Sequence, residues 1–185
     1  MTATVGVVLF PGSNCEHDVV EAVNGLGGEG RLLWHGDREL GDVDAVVLPG
    51  GFAHGDYLRT GAIARFSPIM PAIERFAAAG GPVIGICNGF QILTEAHLLP
   101  GALQKNRGLT FLCMTVAVEV VSSRSVLTRD TDPGTVLRIP INHFEGNYTC
   151  DPATLAELEA EDRIVLRYLD NPNGSDSASV AGSQV

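Results

Sequence analysis

The residue whose type and neighbours most clearly suggest reactivity is Cys87, which lies between two glycines in the stretch VIGICNGFQ over residues 83–91. Gly85, Cys87 and Gly89 have the spacing of a nucleophile elbow, with cysteine in the place of serine. A sharp strand-to-helix turn holds its central residue in a strained conformation, and side chains two positions away on either side would collide there. The pattern predicts a cysteine nucleophile, and the alternative is a small buried residue that closes a strand.

The place of Cys87 at the start of a predicted helix adds an electrostatic expectation. The turn would lift the sulfur above the carboxyl edge of a sheet, where open α/β folds bind ligands. Backbone amides at the N-terminus of a helix stabilise a thiolate, so we expect the pKa of Cys87 to fall below the ordinary value of about 8.5.

A second chemical feature is LPGGF (48–52), which ends another predicted strand. Adjacent glycines let backbone N–H groups come close to a ligand, so the amides of Gly51 and Asn88 can form an oxyanion hole beside Gly50. A plain β-turn is the alternative for this segment.

Other polar side chains are weaker candidates. Gln91 lies one helical turn beyond Cys87 and can bind substrate, although a solvated helix residue would have the same spacing. Cys15 lies early in a predicted helix and can be mildly acidic, but it lacks glycine neighbours. No CxxC pair occurs, so we expect no metal site. Cys113 and Cys150 lie in strand-like segments and are predicted to be packed thiols. The scattered histidines are predicted to be surface or packing residues: His17, His35, His54 and His97.

These residues need elements to position them. Apolar, β-branched runs predict parallel strands at 4–10, 31–34, 44–51 and 82–86. Helices are predicted from Ser13 or Asn14 to about Leu26, over 60–79 with a break near Pro68 and Pro71, and from about Asn88 to Ala96. This alternation predicts a doubly wound α/β domain with right-handed crossovers.

The second half of the chain has a different pattern. Further strands are predicted at 111–121, 135–141 and 163–169, and Asp151 followed by Pro152 predicts the start of a short acidic helix. We find no internal repeat and no long linker, so we expect one domain over residues 1–185.

Composition excludes several classes of partner. The 12 basic and 22 acidic residues give a net charge of −10, and Lys105 is the one lysine. Without a positive field, binding to nucleic acid or to an anionic membrane is not expected. No apolar run is long enough to span a bilayer, and no signal peptide is predicted. Scattered cysteines fit a reduced, cytoplasmic protein.

At this point the motifs resemble a known family. Cys87-Asn88-Gly89-Phe90-Gln91, with LPGGF upstream, resembles the class I (triad) glutamine amidotransferases. The chain is similar to their phosphoribosylformylglycinamidine synthase glutaminase subunits, from about Val5 to Gly182, in GGFAHGDYLRTGAIARF (50–66), LLPGALQKN (98–106), PINHFEGNY (140–148) and NPNGS (171–175). The resemblance implies a flavodoxin-like amidotransferase fold, with a mostly parallel sheet and additional strands in the second half.

The resemblance implies glutamine hydrolysis in de novo purine biosynthesis. Cys87 would attack the side-chain amide of L-glutamine, with the oxyanion held by the Gly51 and Asn88 amides. Ammonia would pass to a large synthetase subunit that makes formylglycinamidine ribonucleotide, and a small third subunit joins the complex in many bacteria. This chain has no GxxxxGK[ST] loop, so we expect no cofactor here, and ATP and magnesium on the synthetase partner.

Two departures from the family occur inside the motifs. Ala53-His54 stands where the family usually has Ser-Tyr, and Asn142 and Phe144 stand where it usually has Ala and Gly. A third concerns the family's catalytic His and Glu, which belong to a His-Pro-Glu motif beyond the NPNGS turn. That motif is not among the 185 residues. We therefore expect a domain truncated at its C-terminus that alone releases little ammonia.

Three alternatives remain open. The first is a catalytically incomplete homologue that acts as a non-catalytic partner subunit. The second gives the roles of base and orienting carboxylate to His143 and Glu145, whose His-x-Glu spacing matches, although their flanks match a different family segment. The third is a stress protein or hydrolase of the related cysteine-elbow group, which GDYLRTGAIAR disfavours.

Overall fold

The structure is a computed structural model that describes residues 2–173 and the backbone of residues 180–183. The predicted NPNGS turn lies partly outside the described residues. The chain divides into two compact units, Met1–Leu98 and Leu99–Val185. A single amidotransferase domain over residues 1–185 stays a prediction.

The first unit alternates strands and helices. Its elements are β1 (Thr4–Leu9), α1 (Glu16–Gly25), β2 (Glu29–Trp34), β3 (Ala45–Leu48), α2 (Met70–Ala78), β4 (Val83–Gly85) and α3 (Asn88–Glu95). All strand pairs are parallel, and the strand order is β2-β1-β3-β4. This order is that of flavodoxin-like sheets. The parallel α/β fold predicted for this half is therefore confirmed.

The core of this unit comes from the apolar runs that predicted its strands. Val7 and Val8 of β1 and Val46 of β3 are completely buried. Ile73 of α2 and Ile92 of α3 are equally buried, so each helix contributes an apolar face. Burial of each such side chain contributes about 1.5–3 kcal/mol.

Two helix predictions in this unit need correction. The predicted helix over 60–79 is reduced to α2, with a short 3-10 turn at Ala64–Phe66 before it. Gly61 has a φ of +76°, and a Cβ there would lie 2.9 Å from the Gln91 backbone. Close packing on α3 thus replaces the first helical turns. The N-cap of α1 is Cys15, not Ser13 or Asn14, and no side chain caps it.

The second unit is mostly antiparallel. Its elements are β5 (Ala102–Gln104), β6 (Leu112–Val120), β7 (Val136–His143), β8 (Asn147–Thr149), α4 (Pro152–Ala160), β9 (Ile164–Tyr168) and β10 (Val180–Ser183). One sheet has the order β10-β9-β6-β7, and β5 pairs with β8. Alternation along β6 buries Val116, Val118 and Val120, as its pattern predicts. The additional strands of the second half are confirmed.

Helix α4 begins as its sequence predicts. The Asp151 carboxylate accepts hydrogen bonds from the backbone amides of Ala153 at 2.9 Å and Thr154 at 3.0 Å, and Pro152 occupies the first turn. Among the described residues, no helix is both long and apolar enough to cross a membrane.

Candidate active site

Cys87 lies in the turn between β4 and α3 and is exposed to solvent. Its φ of 51° and ψ of −107° put a non-glycine residue in a rarely populated region of backbone space. Since the residue is exposed, the alternative of a small buried residue that closes a strand is wrong. The geometry is that of the predicted elbow.

The two flanking glycines are required for steric reasons. A Cβ at Gly85 would lie 2.7 Å from the backbone carbonyl of Gly89, so the positions two before and two after Cys87 do meet. A Cβ at Gly89 would also overlap the carbonyl oxygen of Leu48 in β3. The start of α3 therefore lies closer to β3 than any side chain allows.

The segment after β3, residues 50–56, is called the glycine loop below. Its first residues pair with the segment that follows β1, and Ser13 and Gly51 face each other in an antiparallel bridge. The bridge has a backbone hydrogen bond on either side: Phe52 N to Gly12 O at 3.0 Å, and Cys15 N to Gly50 O at 3.3 Å. LPGGF is therefore more than a plain β-turn.

This pairing determines where the Gly51 amide points. In a non-hydrogen-bonded pair of an antiparallel ladder, the N–H groups of the two facing residues point outward, away from each other. The Gly51 N–H therefore points away from Ser13, toward the side of β3 on which β4 leads into Cys87. It has no hydrogen-bond partner within residues 2–173. Its φ of +142° is one that glycine tolerates.

Cys87 has one amide directed at its sulfur. The backbone N–H of Asn88, at the start of α3, donates to the thiol. A Cβ at Gly50 would lie 3.7 Å from the Cys87 Cβ, so the glycine loop passes beside the elbow. The structure thus brings Gly50, Asn88 and Cys87 together.

The expected lowering of the Cys87 pKa is wrong. Desolvation by the surrounding protein raises the pKa of the Cys87 thiol, and the charges of Cys15 and Asp56 raise it further. The hydrogen bond from Asn88 lowers the pKa but does not outweigh these effects. The resting residue at neutral pH is therefore a thiol, and catalysis requires removal of its proton.

The side chain of Asn88 lies beneath the site, 1% exposed. Its Oδ1 accepts a hydrogen bond from the Ala53 amide at 2.9 Å. Its Nδ2 donates to Asp56 Oδ1 at 3.0 Å and to Gln91 Oε1 at 2.9 Å. Gln91 is itself 5% exposed, so it is not a solvated helix residue. A direct contact between Gln91 and substrate stays a prediction.

A bidentate ion pair also connects the segment after the glycine loop to α3. Arg59 Nε and Nη2 each lie 2.7 Å from one carboxylate oxygen of Glu95. Such fork-to-fork pairs fix orientation as well as distance. Neither Asp56 nor this pair emerges from residue spacing alone, since their partners lie more than 30 positions away.

Of the histidines predicted to be surface or packing residues, His35 and His54 pack and His17 and His97 are exposed. The rings of His35 and His54 have centroids 5.3 Å apart, and each contacts Phe10. Burial, followed by the charge of His54, lowers the pKa of His35. His35 therefore supports the glycine loop by packing against its residue His54.

Two expectations for the other cysteines are wrong. Cys15 is not acidic, because desolvation and the charges of Asp18 and Glu16 raise its pKa. Cys113 is exposed on β6 and is not a packed thiol. Its position on the more exposed first half of that strand explains the difference.

In the second unit, His143 is tied to Asn106. Its Nδ1 lies 3.1 Å from Asn106 Oδ1, which also accepts from the Gly146 amide at 3.2 Å. The Asn106 Nδ2 donates to the His143 carbonyl. These bonds organise the turn after β7. A catalytic role for His143 and Glu145 stays untested. Within the described residues, no cluster of three or more metal-ligating side chains occurs.

Comparison with known proteins gives consistent results. Residues 2–181 match the CobB/CobQ-like glutamine amidotransferase domain. The phosphoribosylformylglycinamidine synthase subunit PurQ of Rubrobacter xylanophilus is 60% identical over 171 residues, 92% of this chain and 78% of that protein. PurQ of Synechococcus elongatus is 57% identical over 172 residues, with the same coverage.

A solved structure adds the same relationship in three dimensions. The structure of PurLQS from Thermotoga maritima contains a chain that superposes with a TM-score of 0.87 at 38% identity. The match covers 98% of this chain and 81% of that one. The family match over nearly the whole sequence, the two close relatives and this neighbour agree with the elbow geometry. This chain belongs to the CobB/CobQ-like glutamine amidotransferase family, among the PurQ subunits of phosphoribosylformylglycinamidine synthase.

Proposed function

We propose that this chain hydrolyses L-glutamine at Cys87 and supplies the ammonia to a synthetase subunit that makes formylglycinamidine ribonucleotide. The observation that carries the proposal is the strained elbow at the exposed residue Cys87, with the Asn88 amide donating to its sulfur and the glycine loop beside it. An arrangement of this kind is suited to nucleophilic attack on a carbonyl.

The attack by sulfur and the stabilisation of the oxyanion follow from the positions of these groups, and the base is not assigned to a residue. A base removes the thiol proton, and the sulfur attacks the carbonyl carbon of the glutamine side chain. The amides of Gly51 and Asn88 donate to the oxyanion of the tetrahedral intermediate, where each donor contributes about 10²–10³ in rate. A proton reaches the nitrogen, the C–N bond breaks, and ammonia leaves a thioester on Cys87. Water then hydrolyses the thioester to glutamate and restores the thiol.

The proposed partners are a large synthetase subunit, to which ATP and magnesium belong, and a small third subunit. This chain needs no cofactor of its own, since thioester chemistry requires only a nucleophile, a proton carrier and the oxyanion donors. The similarity to a PurLQS structure supports the synthetase partner. The alternative of a non-catalytic subunit is not favoured, because a docking subunit has no use for a strained, exposed thiol.

The test compares two nitrogen sources in the assembled synthase. Cys87→Ala should lower glutamine-dependent product formation by at least about 10³-fold. The same variant should use added ammonium as well as the unmodified protein does, since the synthetase is intact. Cys113→Ala is the matched control, an exposed thiol in the second unit, and should change neither rate. Unchanged glutamine-dependent synthesis in Cys87→Ala would contradict the proposal.

A further inference from the structure

We propose that the side chain of Asn88 is a positioning residue that fixes the glycine loop at working distance from Cys87. The inference rests on the proposed glutaminase function and concerns the carboxamide of Asn88, not its backbone amide. The two parts of this residue would have separate tasks: the backbone N–H donates within the site, and the side chain sets the position of the opposite donor.

The hydrogen bonds of the carboxamide support this role. Both hydrogens of Asn88 Nδ2 are used, one on Asp56 Oδ1 at 3.0 Å and one on Gln91 Oε1 at 2.9 Å. Asn88 Oδ1 accepts from the Ala53 amide at 2.9 Å. Two of the three bonds therefore reach the glycine loop, and the third is anchored within α3. A buried amide with all donors satisfied is rigid, because any rotation leaves a polar group unpaired.

The glycine loop needs such an anchor. Three consecutive residues, His54, Gly55 and Asp56, have φ values of 55°, 67° and 50°. For non-glycine residues this conformation costs about 1 kcal/mol or more each, so the loop does not hold this shape unaided. Little apolar burial compensates on the outer side, since Phe52 is 54% exposed. The bonds to Asn88 at Ala53 and Asp56 fall immediately before the strained stretch and at its end.

Position matters because two amides must point at one oxygen. The Gly51 N–H comes from the glycine loop and the Asn88 N–H from α3, so the hole exists only while loop and helix keep their spacing. A misplacement of about 1 Å lowers a rate by about 10²-fold. Loss of the side-chain bonds should therefore lower kcat, because the oxyanion forms only in the transition state, and leave KM nearly unchanged.

The informative substitution is Asn88→Asp, which keeps the shape and replaces the Nδ2 donor by a carboxylate oxygen against Asp56. We expect kcat for glutamine in the assembled synthase to fall about 10²-fold, with KM within about threefold. Exchange of the two groups, Asn88→Asp with Asp56→Asn, restores a donor and an acceptor across the same gap. This double variant should recover at least tenfold of the loss.

Two companions separate positioning from general damage. Thr94→Val removes another buried hydrogen bond of α3, from Thr94 Oγ1 to the Gln91 carbonyl at 2.9 Å, and should leave kcat unchanged. Asp56→Ala changes a partly exposed position, so this variant should fold even where Asn88→Asp prevents folding. It should lower kcat about tenfold. Alkylation of the Cys87 thiolate by iodoacetamide forms no oxyanion, so its plateau rate at high pH should be the same in every variant. The charges at positions 56 and 88 should move only the pH at which that plateau is reached.

The outcomes are distinct. Wild-type kcat in Asn88→Asp or, if that variant does not fold, in Asp56→Ala overturns the proposal. A double variant no faster than Asn88→Asp does so too. A plateau rate of iodoacetamide alkylation that falls in parallel with kcat also overturns it, since that places the damage in the elbow. Failure of the glutaminase function itself would appear separately, as glutamine-dependent synthesis that survives Cys87→Ala.

Discussion

At the residue scale, the site combines a strained backbone with a poorly ionised nucleophile. The backbone conformation of Cys87 costs about 1–3 kcal/mol, and the packing of α3 on β3 must offset this cost to maintain the conformation. Cys87 is exposed as a residue, yet desolvation by the surrounding protein raises the pKa of its thiol. The exposure of Cys87 and the ionisation of its thiol are therefore separate properties, and the flanking glycines predict only the exposure.

The raised pKa of Cys87 predicts a particular pH dependence of its alkylation. The thiolate is the reactive species, so the rate with iodoacetamide should rise tenfold per pH unit through neutrality. It should level off only above the ordinary value of about 8.5, because desolvation moves the titration upward. The measurement is the pseudo-first-order rate between pH 6 and 10, by mass spectrometry of the Cys87 peptide. A midpoint at or below that ordinary value would show that the amide of Asn88 outweighs desolvation.

The cap of α4 predicts a second pH dependence, in stability. Hydrogen bonds from the Thr154 side chain and from the Thr154 and Ala153 amides lower the pKa of Asp151. A lowered pKa means that the stabilisation is present above the unfolded value of about 3.9 and is lost as pH falls through the folded pKa. Asp151→Ala should thus lower the urea midpoint at pH 7, and the difference should shrink at pH 3.

Asp151→Asn is the matched variant for this test. Asparagine caps helices about as well as aspartate but does not titrate here. Its urea midpoint should lie near that of the wild type at pH 7 and change less between pH 7 and pH 3. A deficit in Asp151→Ala that is equal at both pH values would remove the ionised cap from the explanation.

At the scale of elements, the strands and the elbow were predictable because their signals are local. A run such as TVGVVL indicates a strand by itself, and the glycines around Cys87 indicate a tight turn by themselves. The helix over 60–79 was not predictable from its apolar spacing, because the close contact of Gly61 with Gln91 depends on residues 30 positions away. The same limit hid the bond between Asn88 and Asp56, which no spacing rule reaches.

Glycines in two helices predict opposite effects of the same change. Gly89→Ala should destabilise the protein by at least about 2 kcal/mol, because its Cβ would overlap the Leu48 carbonyl. Gly25→Ala, in the last turn of α1, meets nothing within 4 Å and should stabilise by up to about 1 kcal/mol. Chemical unfolding followed by circular dichroism measures both. Equal effects would contradict the close approach of α3 to β3.

At the scale of the whole molecule, the fold class follows from the order of the elements, but the strand pairing of the second unit and the substrate do not. The alternation of strands and helices in the first 98 residues predicts a parallel sheet, and the order β2-β1-β3-β4 confirms it. The antiparallel pairing of β6 with β7 and β9 required the structure, because single-strand patterns carry no partner information. The family resemblance supplied what physics alone did not: glutamine as the substrate.

Charge predicts what the molecule does not bind. With a net charge of −10 and a calculated pI near 4.8, the protein should repel polyphosphate chains at neutral pH. No shift of duplex DNA is expected in a gel assay at 50 mM salt, and a basic protein of similar size serves as the positive control. A complex that weakens steeply with added salt would contradict the absence of a basic surface.

The un-ionised state of the Cys87 sulfur also affects how the protein ages. Peroxides attack thiolates far faster than thiols, so the thiol of an exposed cysteine that keeps its proton is slow to become a sulfenic acid. The protonated thiol of Cys87 should therefore be oxidised slowly in the presence of oxygen, although the residue is exposed. Oxidation of this sulfur should become fast only when a base removes that proton.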